Sequence, residues 1–253
     1  MTTPAPGPAE AGHYDRKSGP DGPVDLLAVG PHPDDIEIGI GGLVAKHVSL
    51  GHSVGLCDLT AGEMGSNGTV EERLAEGEAA RAVLGAAWRV NLRLPDRAIG
   101  RDAEHLRTVT GCIRRARPRV VAIPYWSDRH PDHVAASQLL TEAVFSAGLR
   151  RFDADGEAWK PESVCYYFIN DSVTPSFVVD VSEHYDTKRR ALACFVSQFQ
   201  PARPDAVQTR LTSVRFTQLI ESRDAHFGAL AGVAFAEGII VKQPILRPHL
   251  LPE

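Results

Sequence analysis

The sequence predicts an α/β fold in which helices cover both faces of a mostly parallel sheet. Short apolar runs that suit buried strands alternate along residues 24–147 with longer segments whose apolar residues recur at helical spacing. Glycine or proline ends several of these segments, as at Gly51, Gly85 and Pro95. Strands separated by helices form parallel units with right-handed crossovers, and a chain of 253 residues is long enough for one such domain.

Four strands and four helices are predicted in order before residue 147. The strands are the apolar runs at residues 24–30, 53–59, 89–94 and 119–124. The helices are predicted at residues 38–50, 70–84, 103–116 and about 133–147, of which 70–84 (VEERLAEGEAARAVL) has the clearest amphipathic spacing.

The remaining hundred residues are less regular. Strands are predicted at residues 163–169 and 176–181, and helices at 182–199 and 214–230, the last with Thr212 as a candidate cap. We interpret residues 24–253 as a single domain with a C-terminal extension.

Composition narrows the class of protein. A net charge of −5 argues against nucleic-acid binding, and no apolar run approaches the roughly 20 residues of a membrane span. Residues 1–23 are rich in proline, glycine and alanine and have no apolar core of a signal peptide, so a disordered leader is expected. The four cysteines form no CxxC pair and are interpreted as buried thiols in a reducing compartment. We expect a cytoplasmic protein.

Two clusters of acidic and imidazole side chains follow the first and fourth predicted strands. The first strand runs into PHPDD, residues 31–35, and the fourth runs into YWSDRHPDH, residues 125–133. In a doubly wound sheet with the common strand order 3-2-1-4 these strands are neighbours, and ligands bind beyond their carboxyl ends. The two clusters are therefore expected to meet in one crevice.

The side chains expected in this crevice suit a metal-dependent hydrolase. His32, Asp35 and His133 form a His₂-carboxylate set, a common ligand set for catalytic zinc with a fourth position left for water. Asp34 is predicted to act on that water as a general base. His130 is predicted to face the substrate, with Asp132 orienting its ring and keeping it protonated. Together these groups would hydrolyse an amide or an ester.

The first motif is open to other interpretations. Asp35 could cap the N-terminus of a helix within an ordinary polar turn. Gly39, Gly41 and Gly42 follow a strand, as in a dinucleotide site, but their spacing is not GxGxxG, and adjacent carboxylates would repel a pyrophosphate. We interpret these glycines as positions of close helix packing. Glu37 either supports the motif or binds a sugar hydroxyl.

Longer stretches around both motifs resemble a known family. VGPHPDDIEIGIGG and RHPDH, together with CDLTAGEMGSNGTVEER, NLRLPDR, EAVFSAGLR, FVVDVS and FAEG, are similar to the LmbE-like, or PIG-L, zinc-dependent N-acetylglucosaminyl deacetylases. The similarity covers residue 24 to about residue 240. SNGTVEER and FSAGLR look most like the bacillithiol-biosynthesis branch, which removes acetate from N-acetylglucosaminyl malate.

This resemblance implies a Rossmann-like three-layer sandwich and the same site roles. His32, Asp35 and His133 would hold Zn²⁺, with iron(II) or another divalent metal as alternatives. Asp34 would activate the water on the metal, and His130 with Asp132 would stabilise the tetrahedral intermediate. Relatives are often homo-oligomers, frequently hexamers.

The resemblance also assigns residues to substrate binding. Arg73 matches an arginine that faces the anionic side of the substrate, and Arg129 is a second candidate, since a guanidinium can bind a carboxylate of malate through two hydrogen bonds. The alternative for Arg73 is a solvated helix arginine paired with Glu72 or Glu76. Arg215 stands where relatives often carry a tyrosine, and the Gly-rich loop 60–69 is expected to fold over the sugar.

Three functions are consistent with these features of the sequence. The leading hypothesis is deacetylation of N-acetylglucosaminyl malate. Its alternative within the family is hydrolysis of another GlcNAc or thiol conjugate. A non-catalytic, metal-dependent sugar-binding module is the alternative from a different class, and an intact Asp34 argues against it, because binding alone needs no base beside the water.

Overall fold

The computed structural model describes residues 22–200, 204–246 and 248–249, so the predicted leader lies outside the described residues as far as residue 21. The strands are β1 (Leu26–Gly30), β2 (Val54–Asp58), β3 (Trp88–Asn91), β4 (Val120–Pro124), β5 (Ser163–Tyr167), β6 (Phe177–Asp180) and β7 (Ala236–Ile240). They form one sheet with the order β3-β2-β1-β4-β5-β7-β6. Strands β1 to β5 pair in parallel, whereas β7 is antiparallel to both β5 and β6.

Helices cover both faces of this sheet. They are α1 (Asp35–Ser49), α2 (Val70–Leu84), α3 (Ala103–Ala116), α4 (Pro131–Ala147), α5 (Tyr185–Ala193), α6 (Val196–Phe199) and α7 (Val214–Ala231). Side chains of β1 alternate between two cores, with Leu26 and Ala28 in the core beneath α1 and α2, and Leu27 and Val29 in the core beneath α3 and α4. The predicted three-layer α/β sandwich and its strand order 3-2-1-4 are confirmed. No helix in the described part of the chain has the length and apolarity that crossing a membrane requires.

The C-terminal part departs from the sequence prediction in three places. The single helix predicted at residues 182–199 is divided into a 3-10 turn (Ser182–His184), α5 and α6. The division lets Phe195, between α5 and α6, lie fully buried in the core beneath α1. Strand β7 was not predicted, because its AEGII sequence carries a charged residue, Glu237, that is fully buried in the fold. Ser213, and not Thr212, caps α7.

Helix α1 begins at Asp35, three residues before its predicted start, and is kinked at Ile40, where φ is −141° and ψ is 26°. The carboxylate of Glu237 accepts hydrogen bonds from the backbone N–H groups of Gly42 and Leu43 at 3.0 and 2.6 Å. Arg223 donates to the carbonyl of Ile38 at 2.7 Å. The C-terminal part of the chain therefore satisfies backbone groups that the kink removes from the helical ladder.

A fully buried lysine connects this kink to α5 and α7. Nζ of Lys188 lies 2.7 Å from a carboxylate oxygen of Asp224 and 2.7 Å from one of Glu237. A β-carbon at Gly41 would approach Lys188, and one at Gly42 would approach Val181 and Glu237. The interpretation of these glycines as close-packing positions is confirmed, because side chains fill the space beside them.

Two of the four cysteines match their prediction. Cys57 and Cys112 are buried with their sulfurs 3.8 Å apart, whereas Cys165 and Cys194 are partly exposed. All four are free thiols.

Candidate active site

The two predicted motifs meet at the carboxyl ends of β1 and β4, which are adjacent parallel strands. His32 lies in the loop between β1 and α1, while His130 and His133 lie at the start of α4. The ring centre of His32 is 5.0 Å from that of His130 and 5.7 Å from that of His133. The predicted convergence of the clusters is therefore present in the fold.

His32, Asp35 and His133 are placed as one donor set. Nδ1 of His32 lies 3.0 Å from one carboxylate oxygen of Asp35, and Nε2 of His133 lies 3.4 Å from the other. All three residues are buried, and their donor atoms lie within 4.8 Å of one another. Asp35 does not cap α1, because its carboxylate turns back and accepts the backbone N–H of His32 at 3.0 Å.

The ring nitrogens that face away from this set have carboxylate partners. Nδ1 of His133 lies 3.0 Å from Asp128, and Nε2 of His32 lies 3.3 Å from Asp96 and 3.4 Å from Asp132. Burial lowers the pKa of His133, but Asp35 and Asp128 outweigh it and raise that pKa to about 9. Such partners orient a metal-binding imidazole and increase its basicity.

Asp34 lies beside the donor set in a strained backbone conformation. Its φ is 110°, in the left-handed region that non-glycine residues rarely adopt, and such strain is concentrated at functional sites. The residue is 3% exposed, and no side-chain capping bond holds it at the N-terminus of α1. Burial raises the pKa of Asp34 to about 7, against the opposing charge of Arg73. The geometry thus aims a buried carboxylate at the site, with a proton affinity that suits a base.

In the structure His130 contacts Asp132 through the backbone of Asp132. Nδ1 of His130 accepts the backbone N–H of Asp132 at 3.2 Å, so its Nε2 carries the proton in the neutral ring. Burial lowers the pKa of His130, and the charges of His133 and His32 lower it further. The Asp132 carboxylate instead accepts the backbone N–H and the guanidinium of Arg97 at 3.0 and 2.9 Å. That Asp132 keeps His130 protonated stays a prediction: the carboxylate binds Arg97, and its charge opposes the effect of burial on the pKa of His130.

Arg73 is buried beside the general-base candidate. Its Nη1 donates to the carbonyl of Gly62 at 3.1 Å, and its Nη2 donates to the carbonyl of Pro33 at 2.8 Å and lies 3.5 Å from Asp34. With 5% of its surface exposed, Arg73 is not the solvated helix arginine of the alternative interpretation. It ties the loop after β2 to the first motif.

Glu37 supports the first motif from beneath. It is fully buried on α1, and one of its oxygens accepts a 2.6 Å hydrogen bond from Arg89, which also binds Asp58 at the end of β2. Of the two roles left open for Glu37, support of the motif matches the structure.

A pocket of about 270 Å³ is lined by six of the site residues, namely His32, Asp34, Asp35, Arg73, His130 and His133. Met64, Gly65 and Ser66 of the loop 60–69 form part of its wall, as expected for that loop. Arg129 also lines the pocket, whereas Arg215 is exposed on α7 and is not among the lining residues. Two further arginines, Arg97 and Arg210, line it instead.

Sequence reasoning missed three polar residues of the site. Asp96 follows β3, Asp128 follows β4, and Asn170 follows β5, where its backbone N–H and side-chain amide donate to Asp128 at 2.9 and 3.0 Å. The available signal was position, because each residue lies just beyond the carboxyl end of a parallel strand.

The donor set fits a divalent metal with nitrogen and oxygen ligands. Two imidazoles and one carboxylate converge without a thiol, which suits zinc and is compatible with iron(II) or cobalt. The buried carboxylates of Asp34, Asp35 and Asp128 also concentrate negative charge that a cation would balance. Such a site can activate water against a carbonyl.

Comparison with known proteins points to one family. Residues 27–144 match the family model described as PIG-L: GlcNAc-PI de-N-acetylase. A diacetylchitobiose deacetylase of Thermococcus kodakarensis is 30% identical over 229 residues, which cover 85% of this chain and 81% of that protein. A 1D-myo-inositol 2-acetamido-2-deoxy-alpha-D-glucopyranoside deacetylase of Rhodococcus erythropolis is 30% identical over 69% of this chain and 66% of that protein.

The fold comparison agrees. The crystal structure of a conserved protein of Thermus thermophilus superposes with a TM-score of 0.81 and 38% identity, covering 88% of this chain and 97% of that one. The similarity thus extends well beyond the two motifs into the C-terminal part of the fold. With this coverage and the His-Asp-His site in place, the chain belongs to the PIG-L, or LmbE-like, family of de-N-acetylases.

Proposed function

We propose that this protein is a metal-dependent hydrolase that removes the N-acetyl group from N-acetylglucosaminyl malate, in the manner of bacillithiol biosynthesis. The observation that carries the hydrolase proposal is the buried set of His32, Asp35 and His133 with the carboxylate of Asp34 beside it. The names of both curated relatives support an acetylated glucosamine as the substrate class.

The roles of the side chains follow from their contacts. His32, Asp35 and His133 would hold the metal, which supplies a Lewis acid that polarises the carbonyl and lowers the pKa of water. The carboxylate of Asp34 accepts the proton of the attacking water. His130 donates a hydrogen bond from its Nε2–H to the developing oxyanion, since its Nδ1 already accepts a backbone N–H. Asp34, which then carries the proton taken from the water, passes that proton to the leaving amine.

Other residues position these groups. Asp132 binds Arg97 through both oxygens and presents its backbone N–H to His130, so it orders the loop after β3 and the ring of His130. Arg73 holds the carboxylate of Asp34 while its terminal nitrogens bind backbone carbonyls. Because these contacts occupy Arg73, we assign binding of the substrate's anionic group to arginines that face the open pocket.

The cationic rim of the pocket supports a malate conjugate. Arg129 is exposed on that rim, and among the described residues no carboxylate forms an ion pair with it. A guanidinium in this position can bind a carboxylate through two parallel hydrogen bonds. A neutral conjugate would offer no carboxylate to the guanidinium of Arg129.

Acetate release from N-acetylglucosaminyl malate tests the proposal. Metal-loaded wild type is compared with chelated protein, with Asp34→Asn and with Asp153→Asn, a control at a carboxylate that is 96% exposed. We expect metal-dependent release that falls about 10²- to 10⁴-fold in Asp34→Asn and is unchanged in the control. Release from diacetylchitobiose or an inositol conjugate, but not from the malate conjugate, would keep the reaction and refute the aglycone.

The alternative, a sugar-binding module, predicts a different result in this assay. A binding module would bind the conjugate without releasing acetate, and Asp34→Asn would keep that affinity. The cytoplasmic location and the homo-oligomeric state, with a hexamer as the frequent state in relatives, remain predictions that fractionation and solution scattering can test.

A further inference from the structure

We propose that Arg210, held in place by Asn67, is a second cation that recognises the anionic aglycone. This inference rests on the proposed function, because it concerns the specificity of the same pocket. Arg210 lines the pocket from the segment that precedes α7, far along the chain from both sequence motifs.

The segment that carries Arg210 is fastened to the loop after β2 by one amide side chain. Oδ1 of Asn67 accepts the backbone N–H of Val207 at 2.8 Å, and its Nδ2 donates to the carbonyl of the same residue at 2.9 Å. Asn67 is 7% exposed, and its own carbonyl accepts a 2.7 Å hydrogen bond from Gln198. A buried amide thus replaces a β-bridge between two loops, and both of its polar groups are used.

The turn beyond Val207 is also ordered. The backbone N–H of Thr209 donates to Oγ1 of Thr212 at 3.0 Å, and the N–H of Ser213 donates to the carbonyl of Arg210 at 3.2 Å. Cζ of Arg210 lies 5.3 Å from the ring centre of Phe216, a buried residue that also lines the pocket. Stacking on an aromatic face restricts a guanidinium while leaving its N–H groups available.

The charges around the pocket separate its four arginines into two pairs. Arg73 and Arg97 are engaged by Asp34 and Asp132. Arg129 and Arg210 have no carboxylate partner among the described residues. Two unpaired cations on one pocket match a ligand with two carboxylates better than a neutral sugar, because each guanidinium can bind one carboxylate.

A substrate comparison tests this assignment. Wild type, Arg210→Gln and Arg215→Gln are assayed on N-acetylglucosaminyl malate and on a neutral conjugate, diacetylchitobiose, and kcat/KM is determined for each. We expect the ratio of kcat/KM on the malate conjugate to that on the neutral one to fall roughly ten-fold in Arg210→Gln, through KM. Arg215→Gln is the matched control, since Arg215 is an exposed arginine outside the pocket.

Asn67 is tested as a positioning residue. Asn67→Ala should raise KM for the malate conjugate with little change in kcat, and it should add nothing in the Arg210→Gln background, because both changes remove the same contact. A general loss of structure would lower kcat on both substrates and would be additive.

The outcomes distinguish this inference from the function on which it rests. Wild type that prefers the malate conjugate, with an unchanged ratio in Arg210→Gln, would overturn the role of Arg210 alone. Wild type that deacetylates both conjugates equally would overturn the anionic aglycone and this inference, leaving the hydrolase. Wild type that releases no acetate from either would overturn the proposed function itself.

Discussion

Gly39 provides a direct test of how α1 is placed against the sheet. A β-carbon there would lie 2.2 Å from Cδ2 of Tyr167 and 2.9 Å from the carbonyl oxygen of Phe168. The ring of Tyr167 is fully buried, and its hydroxyl donates to the carbonyl of Val29 at 2.9 Å, so the ring cannot turn aside without losing that bond. Gly39→Ala should therefore destabilise the protein although alanine favours a helix.

The expected magnitude follows from three contributions. Overpacking costs up to about 3 kcal/mol, and loss of the Tyr167 hydrogen bond costs about 1 kcal/mol. Alanine loses less backbone entropy on folding than glycine does, which offsets up to about 1 kcal/mol of this cost. The net loss is about 3 kcal/mol, which lowers Tm by roughly 6–12 °C for a protein of this size.

Thermal unfolding followed by circular dichroism measures this shift. Gly148→Ala is the matched control, because Gly148 ends α4 with φ of −78° and its nearest neighbour to an added β-carbon is 3.5 Å away. We expect the control to melt at or slightly above the temperature of the wild type. An unchanged Tm in Gly39→Ala would refute the packing of α1 against Tyr167.

Two further variants test the metal site and the buried charges. Asp128→Asn removes the carboxylate behind His133 and should weaken metal affinity about 10- to 100-fold in chelator competition, whereas Asp155→Asn, at an exposed carboxylate, should leave it unchanged. Equal affinity in Asp128→Asn would contradict the orienting role. Lys188→Met leaves Asp224 and Glu237 without their shared cation and should cost about 3–5 kcal/mol in urea unfolding at pH 7. Burial already raises the pKa of Glu237, and Lys188 opposes that rise, so without Lys188 the folded state takes up a proton more readily than the unfolded state. The loss should therefore shrink as pH falls from 7 to 5; a loss that does not shrink over this range would show that Glu237 stays ionised.

The part of the site that sequence could predict depends on strand order. His32 and His133 are 101 positions apart in the sequence, yet their meeting follows from parallel strands that lie side by side. The spacing of residues within each motif then suggests which of its side chains can bind a metal. These inferences need only the backbone topology, and the structure bears out that topology.

The rest depends on side-chain packing between distant segments. Asp132 was assigned to His130 because the two are close in sequence, but a carboxylate pairs with the nearest donor in space, and that donor is Arg97 in the loop after β3. Arg210 lines the pocket from a segment that Asn67 bonds at Val207. Neither contact leaves a periodic pattern that a sequence can reveal.

The kink of α1 affects the stage of synthesis at which the region behind the metal ligands can be completed. The N–H groups of Gly42 and Leu43 depend on Glu237, and the carbonyl of Ile38 depends on Arg223, so the segment behind the metal ligands is completed by residues translated nearly two hundred positions later. A chain that ends before β7 lacks Glu237 and would leave the N–H groups of Gly42 and Leu43 without that partner. Tight metal binding should therefore require β7, and a fragment that contains both metal-binding motifs but stops before that strand should not substitute for the whole domain.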